Sequence, residues 1–161
     1  MIRARRALSL EELQHALSVI DFNEEGEDTE AEIFDAIDPA KVILDVTSGL
    51  VIVENEGSEV HLVHRSIEDY LHREENQKNW FPKTDDEIAK ACLTYLSLVI
   101  PRRPQENEYF IAKNAKYPFL QYTSQYWGDH VRLINDSQRL EACMQAAWFV
   151  LLDIVFPILG L

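Results

Sequence analysis

The chain has 161 residues, 47% of them hydrophobic, which suits one domain or two small ones with a buried core. Residues 1–75 hold 6 Lys/Arg against 19 Asp/Glu, a balance of −13, while residues 76–161 hold 9 of each, a balance of zero. The acidic half lacks the cations that nucleic-acid binding requires, and the change in charge places a domain boundary near Glu74–Trp80, giving units 1–75 and 76–161.

Met1–Arg6 is basic, but the residues after it alternate polar and apolar, so no signal peptide is expected. Leu8-Ser9-Leu10-Glu11-Glu12-Leu13 reads as a helix start, with Ser9 as N-cap, Glu12 closing a capping box, and Leu8 and Leu13 at staple positions. Leu10, Leu13, Ala16, Leu17 and Ile20 then follow helical spacing. Residues 21–32 carry seven acids and one Gly and read as a solvated loop; the spacing fits a calcium loop poorly. Thr29 is expected to cap a short helix through Ile37.

Asp38 to Gly49 reads as a helix with Asp38 as N-cap, Pro39 as first residue and Gly49 as stop. Leu50–Val53 and Val60–Val63 form two strand-like runs, and Gly57 between them suits a tight turn. The hairpin covers about residues 50–64. His64 ends the second strand, and Ser66 is expected to cap the next helix, with Asp69 in capping-box position. Helix, hairpin, helix is the core of a winged-helix unit. Residues 72–79 are polar, and Trp80-Phe81-Pro82 closes the segment.

Thr84–Glu87 reads as another capping box, opening a helix to about Val99 with Ile88, Ala91, Cys92, Tyr95, Leu96 and Val99 on one face. Pro101–Pro104 breaks it. Pro118 suits the first turn of a helix to Val131, where Gly128 reads as a close-packing site. Asp136 or Ser137 starts a last helix with Leu140, Cys143, Met144, Ala147 and Trp148. Trp148–Leu161 is almost wholly apolar, but Asp153, Pro157 and the lack of a basic flank argue against a membrane anchor.

Cys92 and Cys143 stand too far apart for metal spacing or a disulfide framework, and read as free thiols in a reducing, cytoplasmic setting. There is no GxxxxGK[ST], GxGxxG or GxSxG stretch. His61 and His64 point to opposite faces of a strand, and His72 lies on the following helix, so no shared metal is expected. On the residues alone, His64 reads as a junction residue bonded to nearby backbone.

Four blocks carry a resemblance. RRALSLEELQHAL (Arg5–Leu17) resembles the opening of the winged-helix region in fungal NACHT proteins, with Ala7 where the family has Pro. Gly49–Arg73, Trp80–Leu98 and Tyr117–Arg132 resemble the segments that follow it, at preserved spacing, so the likeness spans about residues 3–148. The last dozen residues depart from it. Such proteins are signal-transduction ATPases of the STAND, NLR-like type that commonly carry ankyrin repeats. The NACHT ATPase lies before the winged helix and the repeats lie after the helical segment. The resemblance also implies a site: in NACHT proteins a His in an hhHxSxxEhh stretch touches the β-phosphate of ADP and holds a closed state. LVHRSIEDYL matches at His64, Ser66 and, with Asp for Glu, Asp69.

The expected fold is mainly α with one small β-hairpin, a winged helix followed by an antiparallel helical extension. The expected function is a non-catalytic regulatory and interaction module. It has no cofactor, metal, membrane or nucleic acid of its own. ADP or ATP sits on a NACHT domain outside the chain, and that domain, the ankyrin repeats and other proteins are its partners. The alternative is a stand-alone winged-helix DNA-binding regulator.

Overall fold

The computed structural model describes residues 2–20, 40–54, 59–99, 116–134 and 136–159. The expected acidic loop, the Thr29 helix, the Asp38-Pro39 start, the Gly57 turn and the break at Pro101–Pro104 lie outside the described residues. The chain is mainly α-helical with one small antiparallel sheet.

Strand β1 (Leu8–Ser9) leads straight into helix α1 (Leu10–Ile20). The capping box forms: the Ser9 hydroxyl accepts the Glu12 N–H at 3.0 Å, and the Glu12 carboxylate accepts the Ser9 N–H at 2.9 Å. The buried face of α1 runs through Glu12, Ala16 and Val19, while Leu17 and Ile20, which follow the helical spacing, are exposed. Helix α2 (Ala40–Val46) is anchored by buried Ile43. Its exit is a turn in which the Leu50 N–H donates to the Thr47 carbonyl at 3.0 Å. Ser48 and Gly49 both take positive φ there, 52° and 78°. Gly49 does so without a Cβ clash.

Strands β2 (Val51–Val53) and β3 (Glu59–Leu62) form the expected hairpin, with Ile52 opposite His61. A third strand was not expected: β1 pairs with β3, Leu8 opposite Val60, in the order β1-β3-β2. Alternation along the strands puts Leu8, Val51 and Val60 on the buried face. Helix α3 (Arg65–Leu71) follows, then α4 (Glu74–Trp80). The polar run after Leu71 is therefore helical, with Glu74 and Glu75 in the first turn and Lys78 in the last, each favourable to the helix dipole.

Helix α5 (Thr84–Val99) has the expected length but not the expected start. Thr84 lies inside the helix and donates its hydroxyl back to the Phe81 carbonyl at 3.1 Å. The helix serves two clusters: Ala91, Cys92, Tyr95 and Leu96 pack with residues of α1 and helix α6 (Leu120–Val131), while Ala89 packs with Val131 and Ile134. One hydrophobic cluster joins Leu8, Ala16 and Val19 to residues of α5 and α6, so the core crosses residue 75. At its centre Phe119 stacks on Tyr122 (centroids 5.3 Å apart, 12° between planes) and meets Tyr95 edge-on at 5.3 Å.

Helix α7 (Ser137–Leu159) starts as expected, with the Asp136 carboxylate accepting the Gln138 and Arg139 N–H groups at 3.0 and 3.2 Å. Leu140, Cys143 and buried Ala147 face inward, whereas Met144 and Trp148 are exposed. Among the described residues no helix is long and apolar enough to cross a membrane. Both cysteines are free. Burial pushes the Cys92 thiol up to about 12, and that of Cys143 in the same direction.

Gly128 is not a close-packing site, because a Cβ there would meet nothing within 4 Å. Gly128→Ala should therefore raise stability by about 0.5–1 kcal/mol through helix propensity alone, read as a higher urea midpoint at unchanged m-value.

Candidate functional site

His64 leaves β3 with extended backbone (φ −150°, ψ 138°), and its carbonyl accepts the Ile67 N–H at 3.0 Å. That makes His64, and not Ser66, the N-cap of α3. The Ser66 N–H donates to His64 Nδ1 at 3.1 Å, and the Ser66 hydroxyl lies 2.7 Å from the same nitrogen. A backbone N–H can only donate, so Nδ1 carries no proton and the ring proton sits on Nε2. His64 is exposed, so that Nε2–H is a donor available at the surface. The structure thus brings His64 and Ser66 together. Asp69 lies further along α3 and lines a groove against the hairpin, beside Arg65, Glu68 and His72. His61 lines the same groove. Among the described residues no group of His, Cys, Asp and Glu could hold a metal ion.

A second constellation lies buried at the junction of the N-terminal arm, α5 and α6. Arg3 pairs with Asp85 and donates to Gln77 Oε1 at 2.9 Å. Asp85 Oδ1 is 3.2 Å from His130 Nδ1, and His130 Nε2 is 2.8 Å from the Tyr122 hydroxyl. That hydroxyl accepts the Arg5 N–H at 3.0 Å. The protons follow: Tyr122 donates to Nε2, and Nδ1–H donates to the Asp85 carboxylate. His130 is neutral and fully buried. An Asp–His–hydroxyl chain of this kind can activate a nucleophile. Here burial pushes the Tyr122 phenol up to about 12, and its hydroxyl is already engaged on both sides, so the chain acts as a clasp. No local signal marks it: Asp85 reads as part of the Thr84–Glu87 helix start, and His130 lies 45 positions on.

Burial also holds the imidazoles of His130 and His15 below their ordinary range. His15 Nδ1 sits 3.0 Å from the buried Tyr95 hydroxyl. The unfolded chain takes up these protons near pH ~6.5, and the folded chain only at lower pH. Below about pH 6.5 the unfolded state therefore binds more protons, and stability should fall as pH drops. Urea midpoints from about pH 8 down to about pH 5 check this; a midpoint that held steady or rose would contradict it.

Comparison with family models, with curated proteins and with solved structures finds no match to this chain.

Proposed function

We propose that the chain is a non-catalytic regulatory and interaction module of a NACHT–ankyrin signalling protein of the cytoplasm, coupling the nucleotide state of an ATPase domain to repeats or to an effector. The observation that carries this is His64: an exposed ring held through Nδ1 by Ser66 at a strand–helix junction, which leaves Nε2 as the ring's donor. A donor so placed can meet a phosphate held by a neighbouring domain. Ser66 is then a positioning residue, and Asp69 belongs to the adjoining groove wall.

The DNA-binding alternative is weaker. The helix before the hairpin, α2, exposes Lys41 as its one cation, with Asp45 also exposed, whereas duplex binding needs several phosphate contacts.

The test is paired. In this chain His64→Ala should cost under about 1 kcal/mol, because water can replace an exposed cap. In a longer protein that carries the ATPase, the same change should speed ADP loss and raise basal activity, since a contact favouring the closed state is gone. Unchanged ADP retention alongside a large drop in the chain's own melting temperature would return His64 to a structural role.

A further inference from the structure

The outer face of the hairpin and one face of α3 enclose an open groove of about 610 Å³. Ile52 and Val63, 40% and 45% exposed, give it an apolar lining. The α3 wall is Arg65, Glu68, Asp69 and His72, which at helical spacing share one face. Glu54 lines the groove from the hairpin side, and Glu59 reaches it through His61, whose Nε2 lies 3.3 Å from its carboxylate. Glu68 has His72 at 3.7 Å. Among the described residues, Glu54 and Asp69 have no cation within ion-pair distance.

We propose that this groove docks a short peptide segment of a partner protein, one with apolar side chains flanked by Lys or Arg. The lining supplies the apolar part, because exposed aliphatic groups gain by being covered. The rim supplies the sign. Three carboxylates in the walls against one guanidinium repel phosphate, nucleic acid and anionic lipid, and they attract cations that would also set the direction of the segment. The shape supplies the class: an open groove cannot enclose most of a small molecule's surface, as small-molecule sites do, but it can take successive side chains of an extended segment. The inference does not rest on the reading of His64, which is not among the described residues lining the groove.

The probe is a fluorescent synthetic peptide with a Leu-Val-Leu centre and Lys-Arg on each side, titrated with the chain and read by anisotropy. A control peptide has Glu at every basic position. The basic peptide should bind saturably and weaken with added salt; the acidic one should not bind. Glu54→Lys with Glu68→Lys should weaken binding at least about tenfold, and so should Ile52→Asp. All three residues are exposed, so the fold should survive, and melting checks that it does. A charge-matched pair away from the groove, Glu87→Lys with Glu141→Lys, should leave affinity within about twofold. The proposal is overturned if the basic peptide does not saturate, if the acidic peptide binds as well, or if the two double variants weaken binding equally. The last outcome would mean attraction to net charge alone.

Discussion

His130→Ala should destabilise the chain by about 3–5 kcal/mol, a melting shift on the order of 10 °C for a domain of this size. Three losses coincide. The buried Asp85 carboxylate loses its Nδ1–H donor, the Tyr122 hydroxyl loses the acceptor of its proton, and a cavity opens between α5 and α6 where no solvent reaches. Arg3 still faces Asp85, so the carboxylate keeps that partner and loses the other. His130→Gln separates the terms: it restores volume but cannot reach both partners at once, so it should recover part of the loss. Tyr122→Phe should cost less than His130→Ala, about 1–3 kcal/mol, because it leaves the Asp85–His130 contact in place and strands only the Arg5 N–H and Nε2. If His130→Ala melted within a degree or two of the parent, the clasp would contribute little.

Glu12→Ala should cost about 2–4 kcal/mol, more than losing a helix cap alone. The Glu12 side chain is almost wholly buried, yet each oxygen is used. Oε2 accepts the Ser9 N–H and Arg6 Nη1 at 2.9 and 2.7 Å, and Oε1 accepts Arg6 Nη2 at 2.5 Å. The two-pronged pairing raises the already high Arg6 pKa. The same guanidinium lies over the Tyr122 ring, 5.4 Å from its centroid, so Glu12 aims a cation at the core it helps to close. Ser9→Ala removes only the hydroxyl half of the box and should cost about 1 kcal/mol. Glu12→Gln keeps the cap but halves the pairing, and should fall between the two. A double-mutant cycle between positions 6 and 12 should return a coupling of about 1–3 kcal/mol; additive costs would show that Glu12 acts as a cap and nothing more.

What the sequence reveals and what it hides divides along a physical line. Hydrophobic period and local capping chemistry are written in adjacent residues, so the α1 start, the hairpin, the length of α5 and the Asp136 cap could be read. Local rules failed where a residue has two roles. Leu8 and Ser9 look like the approach to a helix, and they are, but their backbone also pairs with β3. His64 caps α3 although histidine is not a favoured cap, and Ser66, the favoured type, is two residues late. Gly128 has no close neighbour, so its reading from residue type alone did not hold. The clasp was out of reach for another reason. Asp85 and His130 are polar, and polarity in sequence suggests surface; only the fold brings residues 45 positions apart into one buried row. Of the candidate site, the pair His64 and Ser66 was legible, but the direction of their bond was not.

The N-terminal arm has a consequence for how the chain comes into being. Arg5 meets Tyr122 across a separation of 117 residues, Arg3 meets Asp85 across 82, and Leu8 waits for Val60. On a ribosome residues 3–8 emerge before any of these partners, so they are among the last of this stretch to find their place. Until α6 has emerged, α1 has its own capping box but lacks the α6 part of its core, and the Arg5 N–H lacks the Tyr122 hydroxyl. Contacts of such long separation slow folding, and apolar surface left bare meanwhile is open to other chains. The strong local start of α1 answers that delay: a helix fixed by Ser9 and Glu12 keeps its face in order while the docking surface is still being synthesised.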